Sequence, residues 1–128
     1  MVEAGIPAML LSAAEQDLSA AQVLANTPGL DDAVVGFHAQ QAVEKALKAV
    51  LSSRRVAFRR THDIAWLLDL LEDATGLVPP HADWLDELNP YAVDARYGGF
   101  APSVLDRSLA LTAANEVWQW ASAQVSTA

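Results

Sequence analysis

The sequence predicts an all-α fold, an up-and-down bundle of four long helices with a short fifth helix in the third connection. Hydrophobic residues make up 52% of the chain, Ala and Leu foremost among them, and both rank near the top in helix propensity. Four stretches repeat apolar residues at spacings of three and four, and no stretch competes with the strict alternation of a half-buried strand. At 128 residues the chain suits a single domain, residues 1–128, with one core.

The first helix is expected over about 7–26. Pro7 suits a first turn, Leu11, Ala14, Leu18, Ala21 and Ala25 share a face, and Thr27-Pro28-Gly29 stops it. Asp31 or Asp32 can cap the second helix, which runs unbroken to about Ser53 with Val35, Ala39, Val43, Ala46, Leu47 and Val50 as its buried stripe. Thr61 is the expected N-cap of the third helix, with Asp63 in its first turn and Ile64, Leu67, Leu68 and Leu71 at core spacing. Gly76 ends it in a left-handed conformation. Prolines and glycines between Leu77 and Phe100 leave room for one short helix, around residues 81–88. Trp84, Leu85, Leu88, Tyr91 and Tyr97 give that connection something to bury. Pro102 then opens a last helix to about Val125, with Leu111, Ala114, Trp118, Ala121 and Val125 on one face.

Charge is distributed unevenly. The net charge is −8, which makes the chain as a whole a poor general binder of nucleic acid. Yet six of its eight Lys and Arg fall in residues 37–64, and outside residues 45–60 there are two basic and sixteen acidic residues. With no Cys, disulfides, thiolate metal sites and a Cys nucleophile are excluded. No HExxH pair exists and the carboxylates lack paired ligand spacing, so no metal and no other cofactor is expected. No apolar run is long enough to span a membrane, and the N-terminal apolar stretch lacks a preceding basic region. The expectation is therefore a whole, unprocessed chain in the cytoplasm.

On the second helix His38, Gln41, Lys45 and Lys48 lie at i, i+3, i+7 and i+10, along the side opposite the buried stripe. That pattern suits a ligand-binding face and equally a plain solvated one. Glu44 and Lys48 form a favourable i, i+4 pair worth only about 0.2–0.5 kcal/mol. In the loop that follows, Arg54, Arg55, Arg59 and Arg60 surround Phe58, a surface suited to phosphate or a partner. Capping of the helix dipole is a sufficient alternative for Arg54 and Arg55. His62 beside Asp63 at a helix start is a candidate acid–base group, although neighbouring helical positions point about 100° apart, and a buried or capping histidine is the favoured alternative. Tyr91, Asp94, Arg96 and Tyr97 are gathered in the loop before the last helix, where loops often carry function. Trp118 and Trp120 lie about 200° apart around their helix, so Trp120 either meets a second internal surface or marks an interface, which is the favoured reading.

Taken in order, FHAQQAVEKALKAVL (37–51), THDI (61–64) and DARY (94–97), with AEQDL (14–18) on the first helix, resemble the HEPN domain family in its small stand-alone prokaryotic form. These are the higher eukaryote and prokaryote nucleotide-binding domains, and the likeness runs from about Ala14 to Val125. The resemblance implies a dimerising helical bundle, often the toxin of a two-component pair whose other member is a small nucleotidyltransferase. It also implies a nucleotide or RNA ligand at His38, Gln41, Lys45, Arg96 and Tyr97, to which the polar face of the second helix adds Lys48 and the loop before the last helix adds Asp94 as candidates. Many members are ribonucleases using an Arg followed by four to six residues and a His near the start of the last long helix. Here Arg96 stands in that place with no His after it, and Gly98 follows the Arg-Tyr pair where Pro is common. Arg55 and His62 have the right spacing between the wrong helices. A metal-independent ribonuclease using Arg96, His38 or His62 is thus the alternative to a binding role, and a non-catalytic helical interaction subunit is the third reading.

Overall fold

The computed structural model of the protein describes residues 2–92 and 104–128, with side chains from residue 5. It is an up-and-down bundle of α1 (Val2–Ala25), α2 (Asp32–Ser53), α3 (Ile64–Thr75), a 3₁₀ helix (Leu85–Ala92) and α4 (Arg107–Ser126), with no strand among the described residues.

α2 is the axis of the bundle and touches each of the other elements. Its expected stripe, Val35, Ala39, Val43, Ala46, Leu47 and Val50, is fully buried, and burial continues around the helix through Gly36, Gln40, Ala42, Glu44, Ala49 and Leu51. α4 presents Ala110, Ala113, Ala114, Val117 and Ala121 to the core, small residues that let two helix backbones approach closely. The expected face is corrected accordingly: Ala114 and Ala121 are buried, whereas Leu111, Trp118 and Val125 are only partly so. Trp118 lies at the edge, where its indole N–H donates to the Leu11 carbonyl at 2.9 Å. Trp120 is partly buried and packs against the core cluster, so the internal surface accounts for it and the favoured interface reading has no support from its packing.

Several ends differ from expectation for local reasons. α1 begins at Val2, which places Pro7 beyond the first turn and inside the helix, where it removes one backbone bond. Asp31 stands at the N-cap of α2 without making a side-chain cap bond, while neighbouring Asp32 is turned toward the start of α4. The cap of α3 is Asp63, not Thr61: Asp63 accepts from the Trp66 amide, while the Thr61 hydroxyl accepts from the Asp63 amide two residues on, ahead of the helix. Gly76 ends α3 at φ 76°, as its position predicts. The short helix lies at Leu85–Ala92, displaced along the chain by a turn in which His81 takes φ 61° and its carbonyl accepts from Trp84 and Leu85. Pro102 lies outside the described residues, but residues 104–106 are not helical and α4 starts at Arg107. The Asp106 carboxylate caps it by accepting from the Leu109 amide at 3.0 Å.

Arg107 locks the start of α4 to the α1–α2 turn. Its Nε donates to Asp32 Oδ1 at 2.7 Å and its Nη2 to the Leu30 carbonyl at 2.6 Å, while the Leu105 amide donates to Asp32 Oδ2 at 2.9 Å. These bonds hold the Asp32 carboxyl below its ordinary range, the Leu105 amide contributing most.

Candidate functional site

The polar stripe of α2 is organised by two carboxylates. Asp17 on α1 accepts from His38 Nδ1 at 2.9 Å and from Lys45 Nζ at 2.6 Å. Glu44 on α2 itself accepts from Lys48 Nζ at 2.9 Å, His62 Nδ1 at 2.9 Å and Gln40 Nε2 at 3.1 Å, with Gln41 Nε2 at 3.4 Å. The four stripe residues are therefore partly buried and bonded, divided between a pair facing α1 and a pair facing the start of α3.

The Glu44 cluster carries a mechanical consequence. Lys48 Nζ also donates to the Thr61 carbonyl at 2.8 Å, and Gln40 Nε2 to the His62 carbonyl at 3.0 Å. Through these bonds α2 grips the end of the basic loop. Burial pushes the Glu44 carboxyl up, but hydrogen bonds from Lys48, His62 and Gln40 and the Lys48 charge outweigh it and leave it below the usual carboxylate range. A buried carboxylate ringed by donors stays ionised, and so keeps Lys48 and His62 in place.

The loop is gripped at its other end too. The Val56 amide donates to the Leu51 carbonyl at 2.9 Å with Arg55 at φ 59°, a helix-ending geometry usually made with Gly. Arg54, expected as a phosphate or partner contact, instead crosses to α4, where its Nη2 donates to Gln124 Oε1 at 2.9 Å. It is partly buried, and that bond makes it a strut between two helices. Arg55, Arg59 and Arg60 are exposed, and none has a carboxylate partner among the described residues. The Arg59 guanidinium lies 4.4 Å from the Trp66 ring centroid, and Lys48 Nζ lies 5.8 Å from that of Phe58.

Both candidate imidazoles share one arrangement. In each, a carboxylate holds Nδ1, and no described group bonds Nε2. With Nδ1 protonated, Nε2 is left to accept a proton. The His62 side chain is 66% exposed against 29% for His38, so His62 is the more open to a ligand. Asp94, Arg96 and Tyr97 lie outside the described residues, and so does any meeting of Arg96 with the α2 stripe. Sequence patterning assigns no site role to Asp17 or Gln40 and reads Glu44 only as half of a weak i, i+4 pair. A signal was present: an acidic residue beside the apolar stripe of the most buried helix needs partners there.

The sequence profile of the HEPN domain matches residues 8–124. The chain belongs to the HEPN domain family. A relative of this HEPN protein, named Putative toxin MJ1304, of Methanocaldococcus jannaschii, is 46% identical over 52 residues, which cover 41% of the chain and 33% of that protein. The chain thus spans about a third of the length of the curated relative it matches. No solved structure matches. In this HEPN domain no helix among the described residues is long and apolar enough to cross a membrane, and no described group of three or more His, Asp or Glu is placed to hold a metal ion.

Proposed function

We propose that the protein is a toxin-type HEPN domain that binds RNA or a nucleotide and works with a small nucleotidyltransferase as its partner, in the cytoplasm and as a homodimer. The observation that carries the reading is the basic loop: Arg55, Arg59 and Arg60 are exposed and without a carboxylate partner among the described residues, on a segment gripped at both ends by α2. A segment whose backbone is fixed at both ends before a ligand arrives loses less freedom on binding phosphate than a mobile one. The side of α2 bearing His38, Gln41, Lys45 and Lys48 is assigned to the rest of the surface, and the family resemblance adds Arg96 and Tyr97, with Asp94 beside them in sequence, all three outside the described residues. Family membership and the likeness to a protein named as a toxin support the same reading.

The test is titration of the protein with a short single-stranded RNA and with ATP at two salt concentrations. Binding that weakens with salt, and weakens again in Arg59→Ala/Arg60→Ala, is expected. Absence of binding by the protein, alone and mixed with a nucleotidyltransferase partner, would sink the proposal.

A ribonuclease reading is favoured by one observation, the two imidazoles oriented by carboxylates through Nδ1. In it Nε2 of His62 or His38 accepts the proton of the attacking 2′-hydroxyl, and Arg96 stabilises charge growing on the phosphate, with no metal. RNA cleavage lost in both His62→Ala and Arg96→Ala supports this reading, and cleavage persisting in both removes it.

A further inference from the structure

α3 has a second side that none of the above uses. Ala65, Leu68, Asp69 and Glu72 fall at spacings that place them along one side of the helix. After Gly76 turns the chain, Leu77, Val78 and Pro79 return beside that side and close a cleft of about 350 Å³, the low end of the 300–1,000 Å³ typical of ligand pockets. Leu68, Leu77, Val78 and Pro79 give it an apolar lining, with Val78 left 51% exposed. Its remaining walls carry four carboxylates, Asp69, Glu72, Asp83 and Asp86. No ion pair among the described residues reaches any of the four. Pro79, in the wall of the cleft, and Pro80 after it fix their own φ angles, which restricts the backbone there before anything binds.

We infer that this groove docks an amphipathic basic helix of a partner protein, apolar side chains on Leu68 and Val78 and Lys or Arg side chains on the four carboxylates. Charge complementarity selects a cationic occupant, and the apolar lining requires that the same segment also bring hydrophobic side chains. A second copy of this chain meets only half of that requirement. Its basic loop has the arginines, but residues 56–63 are not helical and present no amphipathic helical face. The groove is built from different residues than the basic loop and the α2 stripe, so it stands or falls separately from the RNA- or nucleotide-binding reading.

The experiment is calorimetric titration of the full chain with a designed helical peptide of Leu and Lys, about 18 residues or five turns long, with Leu along one face. An oligolysine of equal charge and a peptide of the chain's own residues 53–60 are the comparisons. Saturable binding is expected for the amphipathic helix, weakened at least about tenfold in Asp69→Lys/Asp86→Lys and again in Val78→Asp. The exposed substitutions are checked for unchanged helical circular dichroism. Equal binding of oligolysine, or an affinity unmoved by either variant, overturns the inference. Tighter binding of the 53–60 peptide, or self-association abolished by the same variants, overturns it in favour of a second copy.

Discussion

Gly36 of α2 lies directly beneath the ring of Tyr91: a Cβ added at residue 36 would stand 2.4 Å from Cδ1 and 2.5 Å from Cγ of that ring. Both residues are buried, so neither has room to withdraw. The missing side chain is what lets the 3₁₀ helix close over α2. Gly36→Ala is therefore expected to destabilise the fold by about 1–3 kcal/mol despite the better helix propensity of Ala. Chemical denaturation of Gly36→Ala, Tyr91→Leu and the double variant checks this. The double variant should recover part of the loss, since Leu lacks the ring atoms that the new methyl meets.

Glu44 should make stability depend on pH in the acid range. Its folded carboxyl lies below the ordinary 4.5, so the unfolded state binds the proton more readily. The stabilisation is complete above that ordinary value and is lost as pH falls through the lower folded one. Glu44→Gln removes this dependence. It is expected to be less stable than the native protein at pH 7 by about 2–4 kcal/mol, because Lys48 loses a buried partner. The gap should narrow as both proteins are unfolded at successively lower pH below 4.5. A constant gap from pH 7 to pH 3 would show that the Glu44 cluster adds nothing ionic to stability.

The helices, their order and the buried stripe of α2 were legible in the sequence because repeated apolar spacing is a property of each segment alone. What was not legible depends on tertiary neighbours. Asp63 displaces Thr61 as the cap because its carboxylate also accepts from Asn89 Nδ2 at 3.0 Å, a residue of the 3₁₀ helix. Arg54 looked like its neighbours in the basic loop until Gln124, seventy positions away, proved to be its partner. Glu44 looked like half of a surface pair because the third helix, which brings His62 to it, has no mark in the local pattern of α2. Patterning placed the polar residues on the right side of the helix but could not show that two carboxylates would neutralise Lys45 and Lys48, leaving exposed charge to the loop.

Asp17 separates binding from chemistry on the α2 stripe. Asp17→Ala releases Lys45 as a free cation and leaves His38 without the group that orients it. Affinity for RNA should hold or rise, since one phosphate-seeking charge is no longer neutralised. Any cleavage that uses His38 should fall by about 10²–10⁴-fold, the usual worth of a positioned acid–base group. Binding and single-turnover cleavage measured on the same preparation read the two effects apart. Cleavage unchanged in Asp17→Ala assigns the proton transfer to His62 or to neither histidine.

Arg55 holds a left-handed backbone at φ 59° in an exposed position, where an L side chain costs roughly 1 kcal/mol or more and Gly costs nothing sterically. Local structure alone favours Gly here, which makes a role for the Arg side chain the hypothesis to test. Arg55→Gly is expected to raise stability by about 0.5–1 kcal/mol, relief of the strain being partly offset by the greater freedom of Gly in the unfolded chain. The same substitution should weaken RNA binding and reduce the dependence of log affinity on log salt by about 0.7–0.9, the change from losing one phosphate contact. Arg55→Ala supplies the control, since it removes the charge but keeps the strained backbone: it should match Arg55→Gly in binding and the native protein in stability. A stabilised Arg55→Gly that binds RNA as tightly as the native protein would mean that the strain serves only to end α2, and that phosphate contact in the loop falls to Arg59 and Arg60.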